Sequence, residues 1–155
     1  MTSNGERLNK RVWMLFEKAG FTTHPNFRDP NEYVVSIGKG RPVDLYAEIS
    51  SLGVKIIGSN KSGGIKGSWT AHMNDCESLR DRVGAQKCLL VATDHELDTE
   101  DLAHAHSIGM VVWTEDNLKY YEELVESLGI YAKYEIIHSL GIQTDEENHI
   151  HKTLA

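Results

Sequence analysis

The chain has 155 residues, 40% hydrophobic and 25% charged, with a formal net charge of −7. That length suits one domain with a core large enough to need no disulfide or metal staples, and no apolar run approaches the roughly 18 residues of a membrane span. Overall acidity excludes a protein that coats nucleic acid by bulk charge, although it leaves room for a focused basic site.

The predicted elements begin with a helix. Leu8, Val12, Leu15 and Ala19 form one apolar stripe, Ser3 and Glu6 suit a capping box, and Gly20 suits the position after the last turn. "FTTHPNFRDPNE" reads as a loop. Three strands follow, "EYVVSI" (32–37), "VDLYAEI" (43–49) and "VKIIGSNK" (54–61), and their tight connections predict an antiparallel meander. "SGGIKGS" is a glycine-rich loop, and Ser68 caps a helix whose stripe is Trp69, Met73, Cys76, Leu79 and Val83, ending at Gly84. "KCLLVAT" (87–93) lacks alternation and predicts a strand buried on both faces. A helix capped by Asp98 and closed by Gly109, the strand "MVVWT" (110–114), a helix from Glu115 to about Leu128 and a last helix in "YAKYEIIHSLGI" complete the domain at residue 141. Residues 142–155 read as a polar tail. The order α-β-β-β-α-β-α-β-α-α predicts an α/β fold: a mixed sheet with a central antiparallel hairpin, a right-handed β-α-β crossover and helices on both faces.

One window reverses the charge. Between Gly38 and Ser68 the cations Lys39, Arg41, Lys55, Lys61 and Lys66 face only Asp44 and Glu48, a local net charge of +3 in an acidic chain. If the hairpin pairs around "SSLG", Asp44 and Lys61 stand at the same open end. A carboxylate there could hold a hard divalent cation through oxygen, and the lysine would place positive charge beside a reacting phosphate. Spacing by itself also describes an exposed cross-strand ion pair worth a fraction of a kcal/mol.

The element order and the pieces "RPVD" and "SNK" resemble the PD-(D/E)xK nuclease superfamily, whose core runs α-β-β-β-α-β. The resemblance implies Asp44 as the strand-opening aspartate, Ser59 at the usual acidic position and Lys61 as the motif lysine. It also implies that the first helix can contribute a glutamate to the metal site, for which Glu17 is the candidate. Serine in place of an acid removes charge from the site, and Glu48 lies four residues along the strand, roughly 13 Å away, too far to share an ion with Asp44. "LLVATDHELDTEDLAHAHSIGMVVWTEDNL" resembles the Mrr-like branch of restriction endonuclease-like domains. The ending "YYEELVESLGIYAKYEIIHSLG" is similar to segments that join such domains to a DGQHR-type module, which implies the N-terminal domain of a longer DNA-modification protein.

In function, the resemblance implies a Mg²⁺- or Mn²⁺-dependent endonuclease acting on double-stranded DNA, with a homodimer expected for cutting two strands. "MTSNGERLNKR" lacks the apolar stretch of a signal peptide, so a cytoplasmic setting is expected. Lys39, Arg41, Lys55 and Lys66 are the expected DNA contacts, and the acidic helices after Asp94 are expected to face away. A module of the same fold that has lost catalysis and only binds DNA or assembles is the alternative. Cys76 and Cys88 read as reduced, partly buried thiols, and "HAH" at 104–106 as surface or boundary histidines; no Ser-His-Asp or Cys-His arrangement stands out. "SGGIKGS" with Ser68 offers either a phosphate cradle or a plain connecting loop.

Overall fold

The structure, a computed structural model, describes residues 4–24, 36–37, 41–65, 67–95 and 97–144. Helix α1 (Asn4–Lys18) buries Leu8, Val12 and Leu15 of the predicted stripe together with Phe16, Ala19 is buried just past its end, and Gly20 supplies the left-handed turn at φ 94° that lets Phe21 fold back edge-on against Phe16. Three short strands follow: β1 (Thr22–His24), β2 (Ser36–Ile37) and β3 (Arg41–Pro42). Then come β4 (Leu45–Ile49), a 3-10 turn and β5 (Val54–Ser62), the hairpin that the alternation predicts; Gly53 at φ 67° closes its turn.

Helix α2 (Trp69–Val83) starts where Ser68 accepts a hydrogen bond from Ala71 N–H at 3.1 Å and stops at left-handed Gly84. Strand β6 (Lys87–Thr93) is buried from Cys88 onward. Helix α3 (Thr99–Ser107) is capped by Asp98, and after β7 (Val111–Trp113) a reciprocal Thr114–Asn117 capping box opens α4 (Glu115–Leu128). Helix α5 (Ala132–Ser139) ends the described elements.

The result is an α/β protein with a five-stranded mixed sheet in the order β1-β4-β5-β6-β7. The pairs β1–β4 and β4–β5 are antiparallel, and β5–β6 and β6–β7 are parallel. The hairpin is therefore internal, flanked by β6 as the sequence predicts. Alternate strand residues feed two cores. Leu45, Ala47, Ile56, Leu89 and Val91 pack with α1, α4 and α5, whereas Tyr46, Ile57, Cys88, Leu90 and Ala92 pack with α2 and α3. Arg11 ties α1 to α4 through Glu115 and Glu122, at 3.0 and 2.6 Å.

Two expectations about the meander and the tail need correction. The strand antiparallel to β4 is Thr22–His24, inside the segment read as a loop, while Ser36–Ile37 pairs with Arg41–Pro42 in a separate two-stranded sheet. The rest of "EYVVSI" lies outside the described residues. Nor does the core stop at residue 141: Ile142 and Thr144 are both buried, and Ile142 belongs to the α1 side of the core. A polar sequence hid an apolar anchor.

Candidate active site at the open end of the hairpin

The β4–β5 ladder runs from Ile49↔Val54 to Leu45↔Gly58. One step further, Asp44 N–H still donates to Gly58 C=O at 3.2 Å, and there the strands part. The next inward-facing donor, Asn60 N–H, would lose its strand partner. The Asp44 carboxylate replaces it, accepting that bond on Oδ2 at 2.7 Å. On the other side Trp13 Nε1–H of α1 donates to Asp44 C=O at 2.6 Å. Asp44 is thus fixed by a strand and by a helix.

Burial pushes the Asp44 carboxyl above the usual carboxylate range, and the Asn60 N–H bond and the positive charge of Lys61 and His72 pull it back in part. Lys61 sits half-buried, two residues beyond Ser59 and on the same sheet face. Ser59 itself is buried and shares a 2.9 Å hydrogen bond with His72 Nε2, which α2 presents one turn after its cap. The same nitrogen lies 3.7 Å from Cys76 Sγ. The neighbouring Cys88 of β6 lowers the Cys76 thiol to about 6 against the opposing effect of burial, and His72 adds to the lowering; the Cys88 thiol is raised in turn. No Ser–His or Cys–His arrangement stands out in the sequence; the fold makes one. The i, i+4 spacing of His72 and Cys76 is present in the chain, but the stagger that brings that helical face over Ser59 is not.

Glu17 does not join Asp44. Its carboxylate accepts a 2.7 Å bond from Thr23 Oγ1, and Thr23 pairs with Ala47, three residues along β4 from Asp44, about 10 Å at the usual rise. Besides Trp13, the α1 side chain that reaches the open end is Asn9, eight residues before Glu17, which accepts from Asn60 Nδ2 at 3.0 Å on the opposite sheet face from Ser59. Asn60 Oδ1 is buried there without a partner among the described residues.

The expected basic face is also redrawn. Lys55 opens β5 opposite Glu48, its ammonium 5.8 Å from the centre of the Tyr46 ring, and six residues of strand separate it from Lys61, about 20 Å. It stands at the wrong end of the sheet to share a ligand with Lys61. Lys39 and Lys66 lie outside the described residues, as does the Arg41 side chain, whose backbone forms β3. Three of the acids from Asp94 onward do not face away. Parallel pairing puts the carboxyl ends of β5, β6 and β7 together, so Asp94, Glu115 and Asp116 gather at the same end of the sheet as Lys61.

Among the described residues no three His, Cys, Asp or Glu side chains converge as a cation cage. Magnesium does not require one, since it commonly binds through one or two carboxylates and keeps water and substrate phosphate as its other ligands. The donor chemistry at the hairpin's open end, one ordered carboxylate beside a hydroxyl and an ammonium, fits such a cation through Asp44 alone. Among the described residues no helix is long and apolar enough to cross a membrane. Comparison with family models, with curated proteins and with solved structures finds no match for this chain.

Proposed function

We propose that this protein is a divalent-metal-dependent DNA endonuclease whose active site is the open end of the β4–β5 hairpin. The observation that carries the reading is the placement of Asp44 and Lys61 where two antiparallel strands diverge, within a helix, three-strand meander, helix and parallel-strand order. That arrangement resembles the restriction endonuclease-like core, and double-stranded DNA is the substrate the resemblance implies. Mg²⁺ or Mn²⁺ held by Asp44 would polarise the phosphate and supply an activated water.

The chain's own residues have distinct tasks. Asn60 N–H holds the Asp44 carboxylate and Trp13 holds the Asp44 backbone carbonyl, so the side chain starts from a fixed strand position. Lys61 puts an ammonium where negative charge grows on the phosphate oxygens, in a half-buried site where it is worth more than in water. Ser59, oriented by His72, contributes a neutral oxygen beside them.

A second reading, a nuclease-fold module that binds DNA or assembles without cutting it, draws on a specific observation. The position the family gives to an acid is Ser59, engaged by His72, and Glu17 is engaged by Thr23 rather than by the site. Supercoiled and linear plasmid, modified and unmodified, incubated with each metal, separates the two. The endonuclease predicts nicking that Asp44→Ala abolishes and Lys61→Ala slows about a hundredfold. Cleavage that survives Asp44→Ala sinks the assignment, and binding with no cleavage on any substrate establishes the silent module.

A further inference from the structure

The connections that leave β6 and β7 go to opposite faces of the sheet. Helix α3, which comes after β6, packs with α2 through Ala105, while α4, which comes after β7, packs with α1 through Leu118 and Val125. The carboxyl ends of β6 and β7 therefore lie between chain segments that diverge to the two faces, a divergence that leaves room for a crevice at the strand ends. A cleft of about 710 Å³ occupies that place. Its apolar walls are Ala92, Leu97, Leu102 and Val112, and Asp94 and Asp116 stand at its polar rim. Asp94 holds φ 57°, the one non-glycine left-handed backbone among the described residues. His95, also lining the cleft, lies nearly parallel to Trp69, ring centres 5.5 Å apart and planes inclined by 22°.

The cleft adjoins the candidate active site. Ala92 is the register partner of Lys61, one strand spacing of about 4.8 Å away and on the same sheet face. We propose that this cleft is a nucleobase subsite, which receives a base turned out of the strand whose phosphate sits at Lys61, and that it selects bases bearing an exocyclic amino group. The inference rests on the phosphodiester reading of the Asp44–Lys61 site. Apolar walls and the supported His95 ring suit the flat faces of a base, which stack on aromatic groups irrespective of sequence. Ionised carboxylates accept hydrogen bonds and cannot donate them. Asp94 and Asp116 therefore pair with the amino groups of cytosine or adenine and meet only acceptors on the corresponding position of uracil or thymine. They also repel phosphate, which keeps the backbone at Lys61 and sends the base inward. Glu115 is set apart from this role by its ion pair with Arg11 at 2.9 Å.

The test uses the full chain and free nucleosides at millimolar concentration, read by NMR at the Ala92, Leu97 and Val112 resonances. Cytidine or adenosine should shift them, with affinity about fivefold or more above that for uridine. Val112→Trp, which fills the cleft, should abolish the response, and Asp116→Asn, a surface change that spares the fold, should erase the preference. In duplex DNA without added metal, 2-aminopurine fluorescence should rise several-fold on binding to the wild type and not to Val112→Trp. No shift with any nucleoside, or equal shifts with uridine and cytidine, overturns the subsite. Plasmid cleavage in the same preparations separates the two readings: cleavage with an unresponsive cleft removes the subsite alone, and cytidine binding without cleavage removes the endonuclease alone.

Discussion

The Asp44 carboxylate occupies the hydrogen-bonding position of a missing strand residue, accepting from Asn60 N–H at 2.7 Å where the hairpin ladder ends. A side chain that completes a sheet is structural, and the proposed endonuclease also needs this partly desolvated carboxylate as its metal ligand. That double role has a measurable cost.

Burial raises the Asp44 pKa, so folding favours its protonated form. The stability linked to this group is complete below the ordinary carboxylate pKa and is lost as pH rises through the raised value. Asp44→Asn removes the charge while keeping an oxygen that can accept from Asn60 N–H. At pH 7 the variant should melt at a higher temperature than the wild type, and the difference should close near pH 3. Thermal melts at the two pH values check this; a variant less stable at pH 7 would mean that Asn60 and Lys61 outweigh the burial.

Ser59 lies on the same face as Asp44 and Lys61, where the proposed metal site would take a second carboxylate. Ser59→Glu should tighten Mg²⁺ binding about tenfold by adding a charged oxygen ligand. Isothermal titration of both proteins with Mg²⁺ gives the comparison. Unchanged affinity would place Ser59 outside the cation's reach.

The Ser59–His72 bond at 2.9 Å also holds α2 to β5 at the mouth of the site. A double-mutant cycle with Ser59→Ala and His72→Ala should return a coupling of about 1 kcal/mol by chemical denaturation, the ordinary net worth of one such bond. Additive effects would show that the two side chains do not interact in solution.

At Gly58, β5 passes close to both neighbouring strands. A Cβ there would meet Leu45 Cβ at 3.1 Å and the Leu89 carbonyl oxygen at 3.2 Å, and the backbone atom cannot swing aside. Gly58→Ala should destabilise by about 1–3 kcal/mol through overpacking. A melting temperature unchanged within a degree would show that Leu45 yields instead.

Most of the scaffold was legible in the sequence. The four-residue stripe of α1, the Ser68 and Asp98 caps, the turn at Gly53 and the unbroken apolar run of β6 are each decided within a few neighbouring residues. So was the shared end of Asp44 and Lys61, because hairpin register is set by turn position and alternation. Strand β1 was not legible, because three residues are too few to display a period, and its pairing with β4 is a contact between separated segments. Tertiary structure alone chose Asn9 rather than Glu17 for the open end, since the stagger of a helix along a sheet is set by packing and leaves the helix's own periodicity unchanged. It brought His72 onto Ser59, parted Lys55 from Lys61 by the length of a strand and carried Asp94 and Asp116 to the rim beside Ala92. Local patterns determine what each segment becomes; which side chains then meet depends on register and stagger between segments distant in the chain, and those are fixed only when the cores close.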